Sequence, residues 1–292
     1  MKSVSVIPNL TRANAKSVTD ALLEQLRRLA LAYYLPLSQR AAFPLEDARC
    51  FLPEEELFSA GEVILPVGGD GSVIRAAKRA ALHGKRVLGV NAGRLAYLCG
   101  LDVAELPLLE ALQTGDYTVQ RRIMLQARTY LGNELLREDL CINDVSFCRG
   151  RSIGLVDLQV SADDKPIANL LADGVIFATP TGSTGYSLSA GGPVLEPTLD
   201  AVLLTAVCPH TLAARPYIFH ADTRFTVRTV RGQRTSDVCC SCDGEETFDF
   251  PDGAWAEITR AGTAAELISI TNDHFIDVLN RKIKNWYGSE NT

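Results

Sequence analysis

Two textures of apolar and polar positions follow one another along the chain. In the first part, residues 4–7 form a short apolar run closed by Pro8-Asn9. Ala15, Val18, Leu22, Leu26 and Leu29 then recur at helical spacing, which predicts a long amphipathic helix to about Tyr34. A second apolar run, residues 63–67, leads into a glycine-rich turn. Behind it Val73, Ala77, Ala80 and Ala81 share one helix face, while Arg75, Lys78 and Arg79 lie elsewhere on that surface. Past Gly84, residues 86–90 form a further strand ending at Asn91-Ala92-Gly93. Between these elements residues 36–62, with Pro44 and Pro53, read as irregular, and Glu54-Glu55-Glu56 as a solvated helix start. Strands alternating with helices predict a parallel sheet covered on both faces, in which ligands sit at the carboxyl ends of the strands.

The second texture begins after a helix over about 104–113 that stops at Gly115. Residues 118–130, 142–147 and 155–160 are strand-like; in the last, Val156, Leu158 and Val160 alternate with Asp157 and Gln159. Asp163-Asp164-Lys165-Pro166 is a turn, and the runs 224–230, 238–242 and 255–258 follow at short intervals with little helical period. The expectation is an α/β N-terminal domain with a parallel, Rossmann-like sheet over residues 1–117, and a mostly antiparallel β-rich domain over 118–270. The tail, helical in period from Phe275 to Trp286, would return to the first domain (271–292).

Bulk properties narrow this picture. A chain of 292 residues supports one large or two ordinary domains. Its net charge of −6 argues against a nucleic-acid partner. No run of 18 apolar residues marks a membrane span, and Met1-Lys2-Ser3-Val4 enters a strand without a signal-peptide pattern, so a cytoplasmic protein is expected. Eight cysteines without a secretion signal read as reduced thiols. Cys239-Cys240-Ser241-Cys242 lacks the two-residue gap of a zinc knuckle, and a strand would point Cys239 and Cys240 to opposite faces; they read as small apolar residues.

Chemistry concentrates in two stretches. In Leu65-Pro66-Val67-Gly68-Gly69-Asp70-Gly71-Ser72, three glycines would leave backbone N–H groups open to a close ligand, and the helix behind them favours anions, phosphate above all. A carboxylate in such a turn would repel phosphate, so Asp70 makes sense as a metal ligand or a proton acceptor. The alternative is a plain tight turn with Asp70 as a solvated cap. A Rossmann fingerprint would need glycine where Ile74 stands, and no Walker A Gly-Lys-Ser/Thr occurs.

The second stretch runs from Ala172-Asp173-Gly174 through Thr179-Pro180-Thr181-Gly182-Ser183-Thr184-Gly185-Tyr186-Ser187. An apolar strand ends there in a loop whose hydroxyls could serve a ribose or an adenine, or make a polar surface turn. Asn143-Asp144 interrupts an apolar strand, where an amide and a carboxylate are costly unless satisfied. His210, after Pro209, has no neighbouring nucleophile in sequence and reads as structural.

Taken together, these blocks resemble the NAD kinase family over nearly the whole chain. They stand in order as Gly68-Gly69-Asp70-Gly71, Asn91-Ala92-Gly93-Arg94-Leu95, Asn143-Asp144, Asp173-Gly174 with Thr179 to Thr184, Ser187-Leu188-Ser189-Ala190-Gly191-Gly192-Pro193, and Cys208-Pro209-His210-Thr211-Leu212. The first block also occurs in lipid kinases and phosphofructokinases; the Thr-Pro-Thr-Gly-Ser-Thr block followed by Ser-Ala-Gly-Gly-Pro is specific. The resemblance implies phosphorylation of the 2′-hydroxyl of the adenosine ribose of NAD, giving NADP, with ATP or polyphosphate as donor and Mg²⁺ beside the donor phosphates. By the same resemblance Asp70 is the proton acceptor. Gly68, Gly69, Gly71 and Ser72 form the donor loop. Asp70, Gly71, Asn143, Asp144, Asp173, Thr184, Gly185, Tyr186, Ser187, Leu188, Ser189, Cys208 and Glu245 hold NAD. It assigns no residue as a metal ligand, and it implies a homodimer or homotetramer. The chain departs from the family pattern at Ser72 (usually threonine), Ala96 (glycine), Asp144 (glutamate), Leu171 (basic), Gly185 (alanine) and Glu245 (glutamine). A lipid or sugar-phosphate kinase and a sensor of NAD without chemistry are the competing readings. The hydroxyl loop argues against the first, and Asp70 against the second.

Overall fold

Strand and helix alternate through the first 115 residues: β1 (Ser3–Pro8), α1 (Ala15–Arg28), β2 (Ala32–Pro36), β3 (Phe51–Leu52), α2 (Glu54–Ala60), β4 (Val63–Gly68), α3 (Asp70–Leu82), β5 (Arg86–Val87), β6 (Gly89–Asn91) and β7 (Cys99–Leu101). This computed structural model describes residues 1–93, 96–151, 154–229, 237–271 and 275–286, the last six by backbone alone. The strands pair in parallel in the order β3-β2-β1-β4, and β4 is flanked on its other side by β5 and, further along, by β6. All six residues of β4 are buried, as a central parallel strand covered on both faces requires. The predicted face of α1 is the one that packs: Ala15, Val18, Leu22 and Leu26 join Val4, Val6, Val63, Leu65 and Val90 in one core.

Several segments differ from expectation. The helix expected to about Tyr34 stops at Arg28, and Ala32–Pro36 is strand β2. The stretch over 36–62, read as irregular, contains β3 and α2; within it the expected solvated helix start is present, with Glu54, Glu55 and Glu56 exposed in the first turn of α2, where carboxylates complement the helix dipole. The helix expected over 104–113 is a 3₁₀ segment, Val103–Glu110, continued by one α turn, α4 (Ala111–Thr114). Pro107 lies inside the 3₁₀ segment and has no N–H to give an α-helical ladder. Gly115, at φ +83°, ends it.

The remaining elements are β8 (Thr118–Leu131), β9 (Glu134–Cys141), β10 (Asp144–Arg149), β11 (Val156–Ala162), β12 (Lys165–Ala172), β13 (Gly174–Ala178), α5 (Tyr186–Ser189), β14 (Ala201–Val207), β15 (Tyr217–His220), β16 (Phe225–Thr229), β17 (Val238–Cys242), β18 (Thr247–Phe250) and β19 (Ala254–Ser269), and the chain closes with α6 (Phe275–Trp286). One antiparallel sheet runs β15-β14-β13-β10-β17-β18. A second joins β12-β11-β16 to β19, with the β8–β9 hairpin beside β19. Their inner faces share a core in which Phe177 meets Phe225 at 5.2 Å and Phe147 meets Phe250 at 5.1 Å between ring centroids. Cys240 and Cys242 lie in this core, while the intervening Ser241 points to the other face. Val230, the expected end of one strand, lies outside the described residues.

The two compact units are Met1–Arg121 with Ala265–Thr292, and Arg122–Ala264. The changeovers fall inside β8 and β19 rather than at 117/118 and 270/271, because each of these long strands starts in one unit and finishes in the other. Among the described residues no helix is long and apolar enough to cross a membrane.

Candidate active site

The sequence-predicted site residues fall into two groups, one in each unit. In the first unit β4 ends at Gly68, Gly69 is extended (φ −116°, ψ −168°), and α3 starts at Asp70. The amides of Ser72 and Val73 donate back to the Gly69 carbonyl at 2.9 and 3.2 Å. The glycines differ in what they serve. A Cβ at Gly68 would stand 2.3 Å from Ser72 Oγ, so this glycine is there for internal packing. Ser72 is itself buried and accepts from Asn9 Nδ2 at 3.0 Å. A Cβ at Gly69 would meet nothing within 4 Å, and one at Gly71 only Arg75 Nη1 at 3.7 Å. Backbone open to a ligand is thus confined to Gly69 and Gly71, not all three.

Asp70 is half-buried, and its Oδ1 accepts the backbone N–H of Tyr97 at 2.6 Å and of Leu98 at 2.8 Å. The next carboxyl-end loop is ordered in the same way: Asn91 Nδ2 donates to Asp102 Oδ1 at 2.8 Å while its Oδ1 accepts from Gly93 N at 2.9 Å. Arg94 and Leu95 of that block lie outside the described residues.

In the second unit the structure gathers Asn143, Asp144 and the hydroxyl loop into one knot. The loop folds over the head of β10. Thr179 Oγ1 donates to the Ile142 carbonyl, and Thr179 N donates to that of Asn143 at 2.8 Å. Gly182 lies so close that a Cβ would stand 2.1 Å from the Asn143 carbonyl oxygen. From the other side the Asp243 carboxylate accepts three successive amides: Ile142 N at 3.1 and 3.0 Å, Asn143 N at 2.6 Å and Asp144 N at 3.2 Å. Asp144 is 5% exposed, and burial, reinforced by the charges of Asp243 and Cys242, pushes its carboxyl up to about 7.

The hydroxyls do not share one role. Thr179, Ser183 and Ser187 are fully buried and bonded within the protein. Ser183 Oγ donates to the Pro180 carbonyl at 2.7 Å and accepts Leu195 N at 3.0 Å, and Ser187 Oγ lies 2.9 Å from Thr205 Oγ1. The expected loop of hydroxyls serving a ribose or an adenine therefore holds for part of the loop at most, and a polar surface turn is not what forms. The loop's outward positions are Thr184 and Gly185, half-buried, and Tyr186, 42% exposed; Leu188 and Ser189 follow on the one-turn helix α5. Burial and the Cys148 thiol, 3.7 Å from the phenol oxygen, push the Tyr186 hydroxyl well above its ordinary range, so it stays neutral.

Asp173 pairs with Arg149, Oδ1 to Nε 3.1 Å, and the Arg149 amide donates to its carbonyl. Cys208, exposed and at φ +45°, ends β14. Glu245 is exposed, in the β17–β18 turn, and its amide donates to the Cys242 carbonyl. His210 N caps the Leu171 carbonyl at 2.8 Å. The residue missed by the sequence reasoning is Asp243, visible there only as the first half of an Asp-Gly turn.

The ATP-NAD kinase C-terminal domain family matches residues 142–270. An NAD kinase of Symbiobacterium thermophilum is 34% identical over 284 residues, 97% of this chain and 99% of the relative. Another, from Desulforamulus reducens, is 35% identical over 240 residues, 80% of this chain and 83% of the relative. Among solved structures, yeast NADH kinase complexed with NADH has the same fold at a TM-score of 0.87 and 21% identity, covering 100% of this chain and 89% of its own. An NAD kinase from Archaeoglobus fulgidus in complex with ATP gives 0.70 at 24%, covering 97% and 99%. With a relative of 34% identity matched almost end to end, and the C-terminal family match covering both Asn143-Asp144 and the hydroxyl loop, this chain belongs to the NAD kinase family.

Proposed function

We propose that the chain transfers the terminal phosphoryl group of ATP, or of polyphosphate, to the 2′-hydroxyl of the adenosine ribose of NAD, giving NADP. The observation that carries this reading within the family is Asp70: a carboxylate between two open glycines, Gly69 and Gly71, with Oδ1 fixed by the Tyr97 and Leu98 amides. Phosphoryl transfer asks the protein mainly for positioning and charge stabilisation, with a carboxylate to take the hydroxyl proton. Asp70 takes that proton, and the backbone at Gly69 and Gly71, on the start of α3, faces the donor phosphates. Gly68 and Ser72 shape the turn that presents them. Asn143 and Asp144 hold the ribose, with Asp173, Thr184, Gly185, Tyr186, Leu188, Ser189, Cys208 and Glu245 as the further dinucleotide contacts carried over from the family pattern; Ser187, fully buried and paired with Thr205, shapes the loop instead. The exposed ring of Tyr186 offers a planar face to a base.

Among the described residues no group of three or more His, Cys, Asp or Glu is clustered to hold a metal ion. The backbone N–H groups at the turn suit the phosphate oxygens, and the Asp70 carboxylate would suit a divalent cation that arrives chelated by the triphosphate. Mg²⁺ bound in that way would neutralise charge on the transferring phosphoryl group. We place the enzyme in the cytoplasm, as a homodimer or homotetramer. The test is NADP formation from NAD, Mg²⁺ and either ATP or polyphosphate. Product with either donor supports the reading and identifies the donor. NAD binding without product from either would leave a sensor in its place.

A further inference from the structure

Beyond the family's dinucleotide contacts, one carboxylate in the second unit is engaged with the site rather than with solvent. Asp243 sits at φ +56° and Gly244 at +66°, the left-handed pair of a tight hairpin between β17 and β18. A turn residue there would normally point into water. Instead its carboxylate reaches a segment 99 to 101 residues away and accepts the amides of Ile142, Asn143 and Asp144, while its own amide donates to the Asp144 carbonyl at 2.9 Å. Three N–H groups converging on one carboxylate form an anion nest turned inward, with the protein supplying the anion. The Ile142–Asp144 backbone is thereby held from one side by Asp243 and from the other by Thr179 and Gly182.

We propose that Asp243 is a positioning residue for the dinucleotide, fixing the backbone from which Asn143 and Asp144 present their side chains without itself touching substrate. The inference rests on the proposed function, and it adds a second consequence. The Asp243 charge faces Asp144 together with Cys242, the preceding residue, while Cys148 on β10 and Tyr186 on α5 also interact with the Asp144 carboxyl. Of these Asp243 is the carboxylate. Removing its charge lets Asp144 ionise at lower pH, and NAD affinity, which gains from an ionised acceptor at the ribose, then rises at lower pH as well.

Calorimetric NAD affinity of the full chain at several pH values, with KM for NAD and for ATP measured alongside, tests this on two variants. Asp243→Gly removes the carboxylate at a φ that glycine tolerates, and Asp243→Asn keeps one acceptor oxygen and drops the charge. The expected result for Asp243→Gly is a loss of NAD affinity of about 10- to 100-fold, the scale of hydrogen bonds to a charged group, with KM for ATP changed less than about threefold. Asp243→Asn should lose less, should fold as wild type does by thermal melt, and should shift the pH rise in NAD affinity downward. An unchanged NAD affinity in both variants, or equal losses for NAD and ATP with no shift in the pH profile of Asp243→Asn, overturns the proposal. Wild-type protein that binds NAD but makes no NADP would instead overturn the proposed function, and the affinity contrast between variants would still judge Asp243.

Discussion

The glycine turn at residues 68–72 and the hydroxyl loop at 179–187 are written in the same alphabet of small and polar residues, yet they are built for opposite purposes. In the turn, the polar groups that matter face outward: Gly69 and Gly71 have open space where a side chain would be, and the Asp70 carboxylate is held by two backbone amides. In the loop, most polar groups face inward. Thr179, Ser183 and Ser187 are fully buried and bonded to Ile142, Pro180, Leu195 and Thr205. By the proposed function the first offers its groups to a ligand; the second uses most of its own to hold the backbone at Asn143 and the loop that carries Tyr186. Composition alone cannot separate the two roles, because a hydroxyl that satisfies a buried carbonyl and one that meets a ribose are the same residue.

The most severe way to break the turn is Asp70→Asn. Asparagine retains an oxygen to accept from Tyr97 and Leu98, so the turn keeps its shape, but the proton acceptor is gone. Turnover should fall about 10³-fold or more, within the usual range for general acid–base groups, with the Kd for NAD within a few-fold of wild type. Steady-state rates and calorimetry on one preparation give both numbers. A variant that keeps most of its rate would sink the assignment of Asp70 as base.

Glycine-to-alanine substitutions sharpen the contrast between the two regions. At Gly182 the new Cβ would stand 2.1 Å from a backbone oxygen, and neither backbone can move without pulling on Asn143. Gly182→Ala should cost about 2–4 kcal/mol of stability, read from chemical denaturation. At Gly69 the Cβ meets nothing within 4 Å and φ is −116°, so stability should change by less than about 1 kcal/mol. The cost at Gly69 should appear instead in function, as a rise of about tenfold in KM for ATP where a methyl group blocks phosphate from the amide. Equal stability losses at the two sites would erase the distinction.

How much of this was legible in the chain follows from where each signal resides. Val63 to Ala81 could be read because strand, turn and helix are contiguous and each obeys its own period. The 3₁₀ segment over Val103–Glu110 could not, because its apolar spacing is helical and only Pro107 hints that the ladder fails. Strand β19 reads as four residues in sequence but runs for sixteen: Glu257, Arg260 and Glu266 sit at positions not fully buried and break the apolar run, and the alternation itself slips at Thr259-Arg260. Of the site, Asp70 stands out locally as a polar residue after an apolar strand, and Asn143 and Asp144 as polar residues inside an apolar run. Asp243 does not, since the amides its carboxylate accepts lie about a hundred residues earlier. The inward turn of the hydroxyls is equally invisible, being a property of which partner each finds after folding.

Asp144 lets pH separate the site from its scaffold. Its folded-state carboxyl titrates near 7, about 3 pH units above the ordinary 3.8, chiefly because it is buried. The folded protein therefore holds this proton more tightly than the unfolded chain, and stability falls as pH rises from about 4 through about 7. Asp144→Asn removes the ionisation. Near pH 3, where folded and unfolded chains alike keep the Asp144 proton, the variant should match wild type in stability; at pH 8 it should be more stable by about 2–4 kcal/mol while binding NAD more weakly. Melting curves at the two pH values check the sign. A variant equally stable, relative to wild type, at both would show that Asp144 ionises in the folded state as freely as in water.

The smallest effect tests whether the loop's hydroxyls really are scaffold. Ser183 Oγ both donates and accepts, so Ser183→Ala leaves a buried carbonyl and a buried amide each short of a partner, at a cost of about 1–3 kcal/mol. Thr181, two residues earlier and 6% exposed, has an Oγ1 with no hydrogen-bond partner among the described residues. Replacing it by valine keeps the shape and removes only a desolvated hydroxyl, so Thr181→Val should be neutral or stabilising by up to about 1 kcal/mol in the unliganded protein. If Thr181→Val leaves NAD affinity unchanged as well, the loop's inward hydroxyls serve the fold alone. If affinity drops while stability holds, Thr181 is the one buried hydroxyl of this loop held back for the ligand, and the boundary between scaffold and site runs through the middle of Thr181–Thr184 rather than at its outer edge.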